Sequence, residues 1–352
     1  MTATKPTLKA IAARAGVATS TASAILRGTG EFPPATVRRV MAAADALGHV
    51  RAFEQAPADT APTSQVAGVV VFNTMAVTLR DPFAQQVIRG LHGGLAGAGM
   101  ALMLLPPVGA PGFDRVIRTM PLDIVFFLST YHRIDRAIGT LAHRGVPSAY
   151  LENGGPHSAP AMVRVDDRAP MRDLGQHVLE LGHSRVAVVS LRLTTLARSG
   201  LIPPPPASTV ENDVARVRLE GLELAGVEIS HVFETRSAVL EEGIFAAHTL
   251  MRLVDPPTCI VCLSDSLAEG VMVGLTEMGL RVPEDVSVTG YDGVPLRSLA
   301  PRRLTTVIQD GVLKGMLFAQ AGRELLAGGD PEPAFLTQYF VRGTTTGPPR
   351  SG

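Results

Sequence analysis

Residues 7–27 read TLKAIAARAGVATSTASAILR, and the whole N-terminal architecture follows from them. Thr7 stands where a helix needs a cap, and Leu8, Ile11, Ala12 and Ala15 follow on one helical face. Gly16 breaks the pattern and suits a turn with positive φ. A second helix is expected from Thr19 to Leu26, with Ala22 and Ile25 inward and Thr19, Ser20, Ser23 and Arg27 outward. After a loop carrying Gly28, Gly30, Pro33 and Pro34, a third is expected over 36–47, with Val37, Val40, Met41, Ala44 and Leu47 at helical spacing. Three short helices joined in this way read as a helix–turn–helix unit.

Charge agrees with that reading. The chain of 352 residues has formal net charge zero, yet residues 1–53 carry seven basic side chains and two acidic ones. A basic head on a mildly acidic body points to a nucleic-acid-binding module joined to something else. With 46% hydrophobic and 18% charged residues, the composition excludes a disordered chain. No apolar stretch is long enough for a membrane span, and the N-terminus lacks a secretory core, so a cytoplasmic protein is expected. Cys259 and Cys262, the two cysteines, cannot build a disulfide framework.

Residues 54–65, EQAPADTAPTSQ, read as a linker. Beyond Val66, short apolar runs (66–72, 100–105, 123–128, 185–191, 258–263, 286–291) alternate with amphipathic stretches. Continuous apolar strands separated by helices indicate parallel sheets covered on both faces. The expected fold class is therefore α/β: a three-helix head on 1–53, then two doubly wound lobes over 66–346. The chain is expected to cross between lobes near 166 and 292. A ligand cleft is expected at the strand C-termini.

The head and the order of motifs behind it resemble lactose-repressor-type (LacI/GalR) transcriptional regulators. Thr7-Leu8, Ile11-Ala12, Ala15-Gly16-Val17, Thr21, Ser23 and Leu26 match the N-terminal signature. Asp81-Pro82-Phe83, Leu181-Gly182-His183-Ser184-Arg185, Arg218-Leu219-Glu220-Gly221, Ser264-Asp265 with Ala268 and Gly270, Gly290-Tyr291-Asp292 and Leu304-Thr305-Thr306-Val307 continue it. The resemblance implies a homodimeric repressor with a periplasmic-binding-protein-like effector domain. Its partners would be a near-palindromic operator in duplex DNA and a small sugar-like effector, with no membrane, no cofactor and no metal. Thr19 and Ser20 would reach base edges, and Thr7, Thr21, Ser23 and Arg27 phosphates. Arg218 and Asp265 fall where the family places a charged pair around its ligand. Phe83, Asp166, Asp167, Tyr291 and Gln309 are further expected lining residues. Ser264 or Ser266 can cap the helix at Asp265, which leaves the Asp265 carboxylate for the cleft.

The alternatives are a ligand-binding module with a non-specific DNA or protein partner, or an enzyme. No nucleophile or phosphate-loop motif is present, and the glycines of 90–99 suit close helix packing. Cys259 and Cys262 lie inside an apolar run, and His177 and His183 flank a helix end, so structural roles are expected for all four. The hinge departs from the family: His49 to Pro57 lacks its Pro-Asn and its wedge leucine, leaving Phe53 as the one large side chain. Minor-groove insertion is therefore expected to be weak, and a sharp bend abolished by Phe53→Ala in a DNA-bend assay would contradict that. Thr19→Ala or Ser20→Ala is expected to relax base preference, while Arg27→Ala weakens binding to all duplexes alike. Titrating a selected fragment against random DNA separates the two.

Overall fold

The computed structural model describes residues 7–27, 32–47, 64–71, 73–128, 134–151, 162–194, 198–296 and 302–350, with backbone alone at 26, 27, 34, 38, 41, 45 and 46. The chain divides into two compact units, Met1–Ala56 and Pro57–Gly352.

In the first unit, α1 (Leu8–Ala15) is capped by the Thr7 hydroxyl, which accepts from the Ala10 N–H at 3.2 Å. It ends on Gly16 at φ 64°, where the Val17 N–H reaches back to the Ala12 carbonyl. Helices α2 (Thr19–Arg27) and α3 (Pro34–Ala46) follow. The third helix starts at Pro34, earlier than the apolar spacing suggests, because proline's missing N–H costs nothing in a first turn. Ile11, Ala12, Ala15, Ala22, Ile25, Val40, Ala43 and Ala44 form the core. Its alanines let three short helices approach closely.

Among the described residues the second unit holds three sheets: one in each lobe and a two-stranded parallel pair, 163–165 with 334–336. The first lobe contains β1 (Val66–Val70), α4 (Met75–Thr78), α5 (Pro82–Ala96), β2 (Ala101–Leu105), α6 (Phe113–Thr119), β3 (Ile124–Phe127), α7 (Asp135–His143) and β4 (Ser148–Tyr150). Its sheet is parallel throughout, in the order β2-β1-β3-β4. Next come β5 (Val163–Val165), α8 (Arg168–Glu180), β6 (Val186–Ser190), β7 (Gly200–Ile202), α9 (Asp213–Ala225), β8 (Ile229–Glu234), α10 (Leu240–Leu250), β9 (Cys259–Cys262), α11 (Asp265–Glu277), β10 (Ser287–Asp292) and β11 (Thr305–Ile308). The chain closes with α12 (Gly311–Leu326), β12 (Ala334–Leu336) and β13 (Tyr339–Val341).

The second lobe's sheet runs β13-β11-β10-β9-β6-β8-β7. Its inner strands are parallel, but β7 and β13 pair antiparallel at the two edges, so the lobe is not wholly parallel. Each edge strand is separated from its partner by a helix, α9 between β7 and β8 and α12 between β11 and β13. The chain re-enters the first lobe after Ile308 and not near 292, because Thr305–Ile308 adds one more strand beside β10. Helix α12 then packs Phe318 and Ala319 into the first lobe's core with Ala67, Val69 and Leu91.

Two glycines make that return possible. A Cβ on Gly90 would stand 2.0 Å from the Val312 carbonyl oxygen, and one on Gly315 would stand 2.1 Å from that of Val87. Helices α5 and α12 therefore touch backbone to backbone. Gly315→Ala is expected to cost roughly 2–3 kcal/mol and lower the thermal midpoint of the second unit by several degrees. Gly93→Ala, which meets nothing within 4 Å, is the matched control and should leave the midpoint level or raise it slightly.

Candidate functional site

A cavity of about 180 Å³ opens between the two lobes of the second unit, with room for roughly a dozen water-sized groups. Its walls are the C-terminal ends of strands and the first turns of helices. Asn73, Leu128 and Leu151 follow β1, β3 and β4 of the first lobe, while Leu191, Ser264 and Asp292 end or follow β6, β9 and β10 of the second. Phe83 from α5 supplies an aromatic wall. Asp81 caps that helix, accepting from the Phe83 N–H at 2.9 Å, and its carboxylate also lines the cavity.

Arg218 is the centre of the polar wall. It projects from α9, which Asn212 caps by accepting from the Val214 and Ala215 N–H groups at 3.0 and 3.2 Å. The residue is 5% exposed. Its Nε donates to Asp167 Oδ2 at 2.9 Å and its Nη1 to the Leu263 carbonyl at 2.6 Å. Nη2 lies 4.0 Å from Asp292 Oδ1, and the guanidinium sits 3.5 Å above the Tyr291 ring centre. Burial works against its charge, but Asp167, Tyr291 and Asp292 more than offset this and raise its pKa further.

Asp292 closes the set. Its backbone has φ 125°, a region that favours glycine, at the point where β10 ends against the cavity. Burial pushes its carboxyl well above the usual range; Arg218 pulls it down, while Asp265 and Asp81 push it up. Gln309 Nε2 donates to its Oδ1 at 2.6 Å.

The expected ligand residues thus separate into three groups. Phe83 and Arg218 line the cavity. Asp167, Tyr291 and Gln309 stand one contact behind it, holding Arg218 or Asp292. Asp166 and Asp265 are placed otherwise. Asp166 is exposed and accepts from the Arg168 N–H at 3.0 Å at the start of α8. Asp265 is fully buried; its oxygens accept from the Thr306 hydroxyl at 2.6 Å and the Val294 N–H at 2.8 Å. Burial raises its pKa to about 6 against these hydrogen bonds. Ser264, not Ser266, caps α11.

Asn73, Asp81, Arg192, Arg236, Ser264 and Asp292 line the cavity without having been singled out as ligand residues. Several directly follow strands, and that position was the available signal. At the surface, Arg80 of the first lobe pairs with Glu241 at the start of α10 in the second.

In the first unit, Thr7, Thr19 and Ser20 are exposed and Thr21 and Ser23 half-buried; the Arg27 side chain and Phe53 lie outside the described residues. Cys259 and Cys262 are buried in β9, and burial pushes the Cys259 thiol up to about 12. His183 bridges Thr258, Ser287 and the Gly347 carbonyl, and His177 bonds Thr346. Among the described residues, no helix is long and apolar enough to cross a membrane.

A helix–turn–helix head followed by a two-lobed body with a polar interlobe cavity is the build of an effector-responsive DNA-binding regulator. Residues 7–51 match the family described as bacterial regulatory proteins, lacI family, and residues 176–345 match the periplasmic binding protein-like domain. An HTH-type transcriptional regulator of Mycobacterium tuberculosis is 28% identical over 360 residues, covering 98% of each chain. The HTH-type transcriptional repressor CytR of Escherichia coli (strain K12) is 26% identical over 317 residues, 87% of this chain and 85% of its own. The solved complex of the transcriptional regulator CelR with cellobiose has a TM-score of 0.65 at 25% identity, covering 97% of this chain and 100% of that one. The chain carries a LacI-family DNA-binding head and a periplasmic-binding-protein-like domain, the pair of a DNA-binding transcriptional regulator.

Removing the guanidinium should expose how much rests on it. Arg218→Met leaves Asp167 as a buried carboxylate without its cation and is expected to cost roughly 3–5 kcal/mol, read by thermal or urea denaturation. Adding Asp167→Leu should recover much of that loss.

Proposed function

We propose that the protein represses transcription as a homodimer on a near-palindromic operator, and that a small sugar-like effector in the interlobe cavity controls it. The observation that carries the effector reading is Arg218 beside Asp292 in a desolvated wall opposite Phe83. Charged groups in such a place make strong hydrogen bonds to hydroxyls, and an aromatic face suits the apolar side of a sugar ring. The cellobiose complex of CelR supports the same ligand class.

In this reading Arg218, Asp292 and Phe83 touch the effector. Asp167, Tyr291 and Gln309 hold those groups, and Asp265 supports the loop after β10. Thr19 and Ser20 read bases, and Thr7, Thr21, Ser23 and Arg27 meet phosphates. The head is 1–53, the linker 54–65, and the effector and dimerisation part 66–346. The protein acts on DNA in the cytoplasm, needs no cofactor and catalyses no reaction.

Ligand must contact the two lobe arrangements differently to shift the equilibrium. A coupling of about 1–3 kcal/mol then changes operator affinity roughly 5–150-fold. A thermal-shift screen of mono- and disaccharides, with nucleosides as the competing class, tests the reading. A sugar at about 100 times its dissociation constant should add about 2.7 kcal/mol of stability and change binding to an operator selected from genomic fragments. Asp292→Asn should lose the sugar response and retain DNA binding. No preference for any genomic fragment, with or without sugars, would overturn the proposal.

A further inference from the structure

Lys314, on α12 of the first lobe, is 1% exposed. Its Nζ lies 2.8 Å from Gln309 Oε1 and 5.2 Å from the centre of the Phe83 ring. An ammonium has three donors and no acceptor, so the oxygen of the Gln309 amide must face it. The other end of the amide is then determined. Its Nε2 donates to Asp292 Oδ1 at 2.6 Å. A second donor holds Gln309 Oε1, the oxygen that faces Lys314: Gln338 Nε2 at 3.1 Å, whose own Oε1 accepts from the Tyr291 hydroxyl at 2.6 Å. Every donor in this chain points towards the carboxylate in the cavity wall.

Packing does not account for the lysine. A buried ammonium is costly unless it is paired and hydrogen-bonded, and an apolar side chain of similar length would fill the space without that cost. Several elements bring ionisable groups to bear on Asp292: Asp81 at the start of α5, Asp265 on α11, and Arg218 on α9, which itself pairs with Asp167. Acids outnumber bases here, and Lys314 adds a cation from the opposite lobe.

We propose that Lys314 is the positioning residue of the cavity: through Gln309 it orients, from the first lobe, the Asp292 carboxylate that the second lobe presents. Occupancy of the cavity is thereby felt where the chain crosses between lobes. The functional part rests on reading the cavity as the effector site; the relay itself exists without ligand.

The test is a double-mutant cycle on the full-length, ligand-free protein, read as thermal midpoints from pH 5 to pH 8. Lys314→Met should lower the midpoint by about 5 °C at pH 8 and by less at pH 5. The sign follows from Asp292: a proton on it removes the charge whose compensation the substitution weakens, and that proton is bound at the acid end. In an Asp292→Asn background the same substitution should cost little and show no such pH trend. Gln309→Met cuts the relay while keeping the lysine. It also leaves the buried ammonium without that acceptor, so it should cost stability in both backgrounds, but its pH trend should likewise vanish with Asp292→Asn; it serves if Lys314→Met does not fold. Equal losses in both backgrounds at both pH values would reduce Lys314 to packing and overturn the proposal. The cycle needs no effector, so a cavity that takes no sugar would leave it standing. Additivity, conversely, would remove Lys314 and leave the effector reading intact.

Discussion

A guanidinium taken out of water organises the second lobe. Arg218 reaches Asp167 ahead of α8, the Leu263 carbonyl after β9, and the ring and carboxylate of Tyr291 and Asp292 on β10. A charge that deep is tolerated only with its partners in place. The ends of β9 and β10 and the starts of α8 and α9 must therefore converge on one point, and that point is the cavity wall. The same requirement makes the wall polar, rigid and suited to hydroxyl groups.

The two lobes are not independent beads on a chain. Helix α12 leaves the second lobe's sheet after β11 and is buried in the first lobe against α5, where glycines on both helices allow contact between backbones. A similar seam holds α10 to α11, where a Cβ on Gly270 would stand 2.0 Å from the Leu240 carbonyl oxygen. Dense interiors of this kind pass a displacement on instead of absorbing it. A change at Asp292 or Gln309 thus has a direct mechanical route into the first lobe.

How far the site could be read from sequence differs residue by residue. Phe83 and Arg218, which line the cavity, stand inside motifs visible in the sequence, Phe83 in the first turn of α5 and Arg218 one turn into α9. Asp265 was misplaced by a sound but incomplete argument. A neighbouring serine does take the helix cap, which frees the carboxylate. A freed carboxylate still seeks donors, and the Val294 N–H and the Thr306 hydroxyl supply them from distant parts of the chain. Lys314 carried no signal at all, since a lysine on an amphipathic helix is ordinarily solvated. Ile229–Glu234 likewise lacks the continuous apolar run that marks the other inner strands, although it pairs with β6 from Ile229 to Glu234, with one register shift between Val186 and Ala187.

By itself the sequence determined what short-range physics controls. The Thr7 cap, the Gly16 turn, the alanine faces of the head and the alternation of apolar runs with helices are each settled within a few residues. Tertiary structure alone decided the antiparallel edges, the crossing after Ile308, and which acid faces which base. Those choices join residues tens to hundreds of positions apart. Their free energies come from desolvation and hydrogen bonding that exist only once the partners have met.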